Sequence, residues 1–142
     1  MSPGLIALVV VLVVTTAFGL WRRNTDGRFQ SVHSPQQPAG ERLSADELGA
    51  ELGVRATLVQ FSSAFCAPCR TARVVLGDVA ANTPGVTHVE IAAEDQIELI
   101  RRFDVRRTPT LLVLDAAGRV RHRATGAPDR AAVLAALATV AG

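Results

Sequence analysis

Residues 58–76, LVQFSSAFCAPCRTARVVL, hold both cysteines of the chain, Cys66 and Cys69, with only Ala67 and Pro68 between them. Residues 56–61, ATLVQF, are apolar and β-prone, as a buried strand would be. Beyond Pro68, the positions Cys69, Ala72, Val75, Leu76, Val79 and Ala80 recur at helical spacing until Thr83-Pro84-Gly85 stops the pattern. The two thiols therefore stand where a strand hands over to a helix. Three chemistries compete for them: half a metal site, a structural staple, or a redox couple.

Structural zinc takes four ligands, commonly two Cys-x-x-Cys pairs or one pair with two histidines. This chain offers one pair and His33, His88 and His122, none at the required spacing, so no metal site is expected. A staple closing so small a loop removes little chain entropy, and a domain of this size builds a core without one. The local sequence favours redox chemistry. At the helix start, Cys66 meets unpaired N–H groups and the positive end of the dipole, which stabilise a thiolate. The thiolate is the form that attacks a disulfide. Cys69 lies one turn along, placed to resolve the mixed disulfide, and Pro68 stiffens the first turn without losing a hydrogen bond.

Around this centre the chain reads as alternating elements. Ser44-Ala45-Asp46-Glu47 has capping-box spacing ahead of Leu48 and Leu52, predicting a short helix that ends at Gly53. Residues 86–92, VTHVEIA, read as a second strand, 94–103 as a helix and 110–115, TLLVLD, as a third strand. Ala116-Ala117-Gly118 turns into 119–125, RVRHRAT, whose alternation suits an edge strand with one wet face. Pro128 opens a last helix reaching Val140. The order α-β-α-β-α-β-β-α predicts a mixed central sheet covered on both faces, an α/β domain over residues 44–142.

The N-terminus is different in kind. Residues 4–21, GLIALVVVLVVTTAFGLW, carry no charge. Eighteen residues make roughly 27 Å of helix, near the thickness of a bilayer's hydrocarbon core. Trp21 falls at the interface, with Arg22 and Arg23 beyond it. A cleaved signal peptide wants a basic n-region, a shorter apolar core and an Ala-x-Ala-like site, so the stretch reads as a transmembrane anchor of a single-pass protein. Arg22, Arg23 and Arg28 follow the span, so the positive-inside rule favours a cytoplasmic domain, with an extracytoplasmic one as the alternative. Residues 22–43, polar and lacking apolar periodicity, read as a flexible linker with a coil span of about 25 Å; His33 lies within it. Residues 44–142 hold 11 Arg and 11 Asp plus Glu, a balance that argues against a nucleic-acid partner.

Phe61-Ser62-Ser63-Ala64-Phe65-Cys66-Ala67-Pro68-Cys69-Arg70 resembles the active site of the thioredoxin superfamily, normally an aromatic followed by Cys-Gly-Pro-Cys-Lys. About forty residues on, Arg107-Thr108-Pro109-Thr110 resembles its cis-proline signature, and Gly126 the glycine before its last helix. The resemblance, to a membrane-anchored bacterial member, covers about residues 44–142 and implies a thioredoxin-like fold. It implies Cys66 and Cys69 as the catalytic pair, with Phe65, Ala67, Pro68, Thr108, Pro109 and Gly126 binding substrate and Pro109 in cis beside the dithiol. It further implies client proteins with disulfides, a thioredoxin-reductase-like or membrane electron donor, and no cofactor beyond the Cys66–Cys69 couple. Departures fall at tuning positions. Gln60 stands where the family usually has a buried aspartate that helps deprotonate the resolving cysteine, and His88 is aligned with that aspartate's lysine partner. Phe65 replaces a tryptophan, Ser62 another aromatic, and Ala67 a glycine. Arg70 either supports the thiolate or is simply solvated. Two functions follow: a membrane-tethered thiol–disulfide oxidoreductase, most readily a reductase, or a thioredoxin-like binding module without redox turnover.

Overall fold

The computed structural model describes residues 2–31 and 41–140. Its elements are α1 (Pro3–Thr25), β1 (Gln30–Ser31), α2 (Ala45–Leu48), β2 (Ala56–Ser62), α3 (Ala67–Asn82), β3 (Val86–Ala92), α4 (Ile97–Arg102), β4 (Thr110–Asp115), β5 (Val120–Thr125) and α5 (Arg130–Val140). From α2 onward the order is the one the sequence predicts.

The strands form one sheet in the order β1-β5-β4-β2-β3, with β2 and β3 parallel and the other neighbours antiparallel. Every residue of β2 and β4 is buried, because these strands lie inside the sheet with both faces covered. Period-two alternation divides their side chains between two cores. Leu58, Leu111 and Val113 pack with Ala72, Leu76 and Val79 of α3 and Val133 and Leu137 of α5. Val59, Phe61, Leu112 and Leu114 pack on the other side with Leu43, Leu48, Leu99 and Phe103.

The capping box forms: Ser44 Oγ accepts from the Glu47 N–H, and Glu47 Oε2 accepts from the Ser44 N–H at 2.9 Å. The helix it starts is shorter than the sequence suggests, ending on Gly49 in the left-handed conformation (φ 63°) rather than at Gly53. Likewise α4 begins only at Ile97, after a turn in which the Asp95 N–H donates to the Ala92 carbonyl at 3.1 Å, while the Glu94 carboxylate accepts from the Ala64 N–H. In α5 the start moves to Arg130, where Asp129 Oδ1 takes the Ala132 N–H at 2.7 Å.

The largest corrections lie before residue 44. Helix α1 continues past Trp21 to Thr25, and none of its residues is buried. The stretch expected to be a free linker is bound to the domain over its described parts. Gly27 is buried, Phe29 packs on the core under α3 and α5, and β1 pairs with β5, so β5 is not the sheet's edge. Near its other end, Arg42 bridges Arg119 and Leu43 is wholly buried. Phe29 and the Asp26-Gly27 turn, set within polar surroundings, take part in this docking. His33 and residues 32–40 lie outside the described residues.

Candidate functional site

Cys66 is the N-cap of α3 and Cys69 lies in its first turn, so the strand β2 and a four-residue loop deliver both thiols to the helix's positive end. They are bonded as a disulfide, with Cα atoms 5.2 Å apart. Cys66 Sγ accepts from the Cys69 N–H at 3.2 Å. The first turn carries no acidic residue to oppose negative charge on that sulfur. Cys69 is 2% exposed, while Phe65 projects fully into solvent beside the pair.

The Thr108–Pro109 peptide bond is cis. Its loop is fastened to the redox loop by a hydrogen bond between Ser63 Oγ and Thr108 Oγ1 (2.9 Å), and to the segment after β5 by the Gly126 N–H donating to Pro109 O (2.8 Å). Pro68, Thr108, Pro109 and Gly126 thus line a common groove of about 660 Å³. Ala67 is exposed at the first helical position, and Arg70 is exposed one turn on; neither lines the groove.

Beneath the dithiol, Gln60 is fully buried. Its Nε2 donates to Ser62 Oγ at 2.7 Å and to the Cys69 backbone carbonyl at 2.9 Å. Its Oε1 has no partner among the described residues. The partner position is not His88. The β2–β3 register sets Gln60 opposite Glu90, and His88 opposite Leu58. Glu90 receives two hydrogen bonds from Arg73, at 2.6 and 2.7 Å, which with one from Ser62 hold its carboxyl below the ordinary range against the opposing effect of burial. Burial pushes the His88 imidazolium pKa down, and its Nε2 is buried without a partner among the described residues.

The thioredoxin family model matches residues 43–139. This chain belongs to the thioredoxin family. A curated relative, thioredoxin H5 of Oryza sativa subsp. japonica, is 28% identical over 60 residues, which are 42% of this chain and 44% of that protein, so the match spans less than half its length. Among solved structures, a mutant thioredoxin from Halobacterium salinarum superposes with TM-score 0.57 at 22% identity, over 62% of this chain and 76% of the other. A thioredoxin of Malassezia sympodialis gives 0.53 at 19%, over 78% of this chain and 99% of the other. At these identities the solved structures establish the fold. A thioredoxin domain carrying the Cys66–Cys69 pair supports a thiol–disulfide oxidoreductase.

Residue identities alone did not point to several groups that build this site. Ser63 and Glu94 hold the redox loop, and Glu90 neighbours Gln60, through pairings set by the sheet. Asp26, Arg22 and Arg23 join the groove wall from α1 and its end. The Asp26-Gly27 turn signal was the one local hint of the last group.

Proposed function

We propose that this thioredoxin is a membrane-tethered protein disulfide reductase, with α1 as its anchor, the segment after it as the connection, and residues 44–142 as the redox domain. The observation that carries the reading is the placement of Cys66 as N-cap of α3, its sulfur bonded by the Cys69 N–H, with cis-Pro109 on the neighbouring rim. The Cys66 thiolate attacks one sulfur of a client disulfide; a mixed disulfide forms and the client's other sulfur leaves as thiolate. Deprotonated Cys69 then attacks Cys66 Sγ, closing the Cys66–Cys69 bridge and releasing the client's second thiolate. Two electrons pass to the client, and a thioredoxin-reductase-like flavoprotein or membrane dithiol donor restores the pair. No cofactor beyond the couple is required, and the role is one of electron transport and redox homeostasis.

Phe65, Ala67, Pro68, Thr108, Pro109 and Gly126 form the client-binding rim, with the backbone before Pro109 free to pair with an extended client segment. Gln60 and Arg70 tune the couple. An apolar helix of 23 residues with none buried supports the anchor. Arg22 and Arg23 favour a cytoplasmic domain.

The test is the midpoint potential of the Cys66/Cys69 pair in the full chain in detergent, equilibrated against thiol buffers with free thiols mass-tagged. A value near about −270 mV supports a reductase, and one near about −120 mV replaces it with an oxidant. If no intramolecular bridge forms at any poise, the redox reading falls.

A further inference from the structure

The end of the anchor helix and the rim of the dithiol are fastened together. Arg107, two residues before Pro109, donates from Nη2 to Asp26 Oδ1 at 2.7 Å. Gly27 donates its N–H to Thr125 O at 2.7 Å from a left-handed conformation, φ +78°. A side chain at Gly27 would run into the Ala127 carbonyl, and one at Gly126 would meet the Asp26 Cβ at 3.0 Å. Phe29 and β1 extend the attachment onto the core and the sheet. The helix runs directly into the dock: the Asp26 N–H closes the last turn of α1 on Arg22 O at 3.1 Å.

This sets a height. With Trp21 at the interface, the rise from Trp21 to Asp26 is about 7.5 Å. The headgroup layer on one side of a bilayer is about 5–7 Å deep. Asp26 therefore sits at the outer border of the headgroups, and the α1 wall that runs from it down to Gly19, about 3 Å on the core side of Trp21, sets the facing cis-proline rim alongside the headgroup layer. The groove confirms the juxtaposition: Gly19, Arg22, Arg23 and Asp26 form one wall, and Pro68, Arg107, Thr108, Pro109, Gly126 and Ala127 the other. A chain lying along Pro109 must pass against the last turns of the anchor. Asp26 is paired to Arg107, so Arg22 and Arg23 leave the groove cationic, matched to acidic side chains.

We propose that the client of this dithiol is an integral membrane protein whose disulfide lies in the headgroup layer, on an acidic segment that enters the groove between α1 and the cis-proline loop. The proposal rests on the tethered redox reading above. It replaces a domain that roams on a long linker with one held against the bilayer, to which a bulky soluble client has poor access.

The test uses the full chain in phosphatidylcholine–phosphatidylglycerol nanodiscs, recharged with dithiothreitol. Two synthetic single-span peptides carry the same acidic disulfide loop, one placed three residues beyond the hydrocarbon core, the other beyond a 25-residue Gly/Ser spacer reaching roughly 25–30 Å further. The near loop is expected to be reduced about tenfold faster, because it shares the height of the groove and its effective concentration there is higher. Inserting ten Gly/Ser residues between Thr25 and Asp26, which leaves the dock intact, should bring the two rates within about twofold. Gly27→Val, which opens the dock, should do the same while leaving reduction of hydroxyethyl disulfide unchanged. Equal rates on the two peptides with hydroxyethyl disulfide still reduced would overturn this proposal and leave the redox reading standing. If hydroxyethyl disulfide itself is not reduced, the redox reading fails and this one with it.

Discussion

Gln60 holds the backbone carbonyl of Cys69 at 2.9 Å from a fully buried position, so a neutral amide lies under the resolving cysteine. Its two N–H bonds are both used, one on Ser62 and one on Cys69. A carboxylate at this place lacks those donors and turns an oxygen toward the Cys69 carbonyl.

Gln60→Asp is therefore expected to destabilise the domain by about 2–3 kcal/mol at pH 8, as a charge buried where Gln60 bonds only a hydroxyl and a carbonyl. Burial raises the pKa of the new carboxyl above its unfolded value near 3.9. The folded state then binds the proton more tightly, so the deficit should grow as pH rises and shrink toward pH 4. Urea unfolding of both proteins at pH 4.5 and pH 8 checks this. An equal deficit at both pH values would show that the new carboxyl does not titrate differently on folding.

The two thiols should be separable by trapping. Cys69→Ser leaves an attacking thiolate with no resolver, so mixed disulfides with clients should accumulate on non-reducing gels. Cys66→Ser should form none, because Cys69 is almost wholly covered. Adducts at equal yield from both variants would remove the distinction between attacker and resolver.

The dithiol and the succession of elements were legible because each is a local pattern of spacing, periodicity or turn residues, whereas the cis state of Pro109 came from the family resemblance carried by Arg107-Thr108-Pro109-Thr110. The apolar Ala56–Ser62 strand and the helical recurrence after Pro68 identified the junction that places the thiols. What depends on pairing distant segments was not. Nothing in VTHVEIA says that Glu90, rather than His88, lies opposite Gln60; a register is a property of two strands. The docking of Asp26 and Gly27 is similar. An Asp-Gly pair announces a turn, but only the folded chain shows it beside Arg107 and Thr125.

The β4–β5 turn gives a prediction about acid stability. Asp115 is subject to burial, which raises its pKa, but hydrogen bonds from the Arg119 and Ala117 N–H groups and the Arg119 side chain outweigh it and hold the carboxyl below its usual range. A depressed carboxyl contributes stability above its unfolded pKa and loses it as pH falls through the folded value. Asp115→Ala should cost about 1–2 kcal/mol at pH 7, chiefly from the backbone N–H groups left unbonded. The gap to wild type should narrow below about pH 4. A gap that stays constant down to pH 2.5 in thermal unfolding would assign the effect to turn geometry alone.

His88 carries the opposite sign. Burial lowers its pKa, reinforced by Arg73 and only partly opposed by Glu90. A base depressed on folding binds its proton more weakly in the folded state, so its stability is full above the unfolded pKa near 6.5 and falls as pH drops below it. His88→Leu removes both that titration and a buried Nε2 that has no partner among the described residues. The variant should match or exceed wild-type stability at pH 7.5, with an advantage that widens by up to about 1 kcal/mol between pH 6.5 and pH 5. Parallel urea midpoints at the two pH values would be the check. An advantage that shrinks on acidification would mean that the imidazolium finds a favourable partner in the folded state, with Glu90 the nearest candidate.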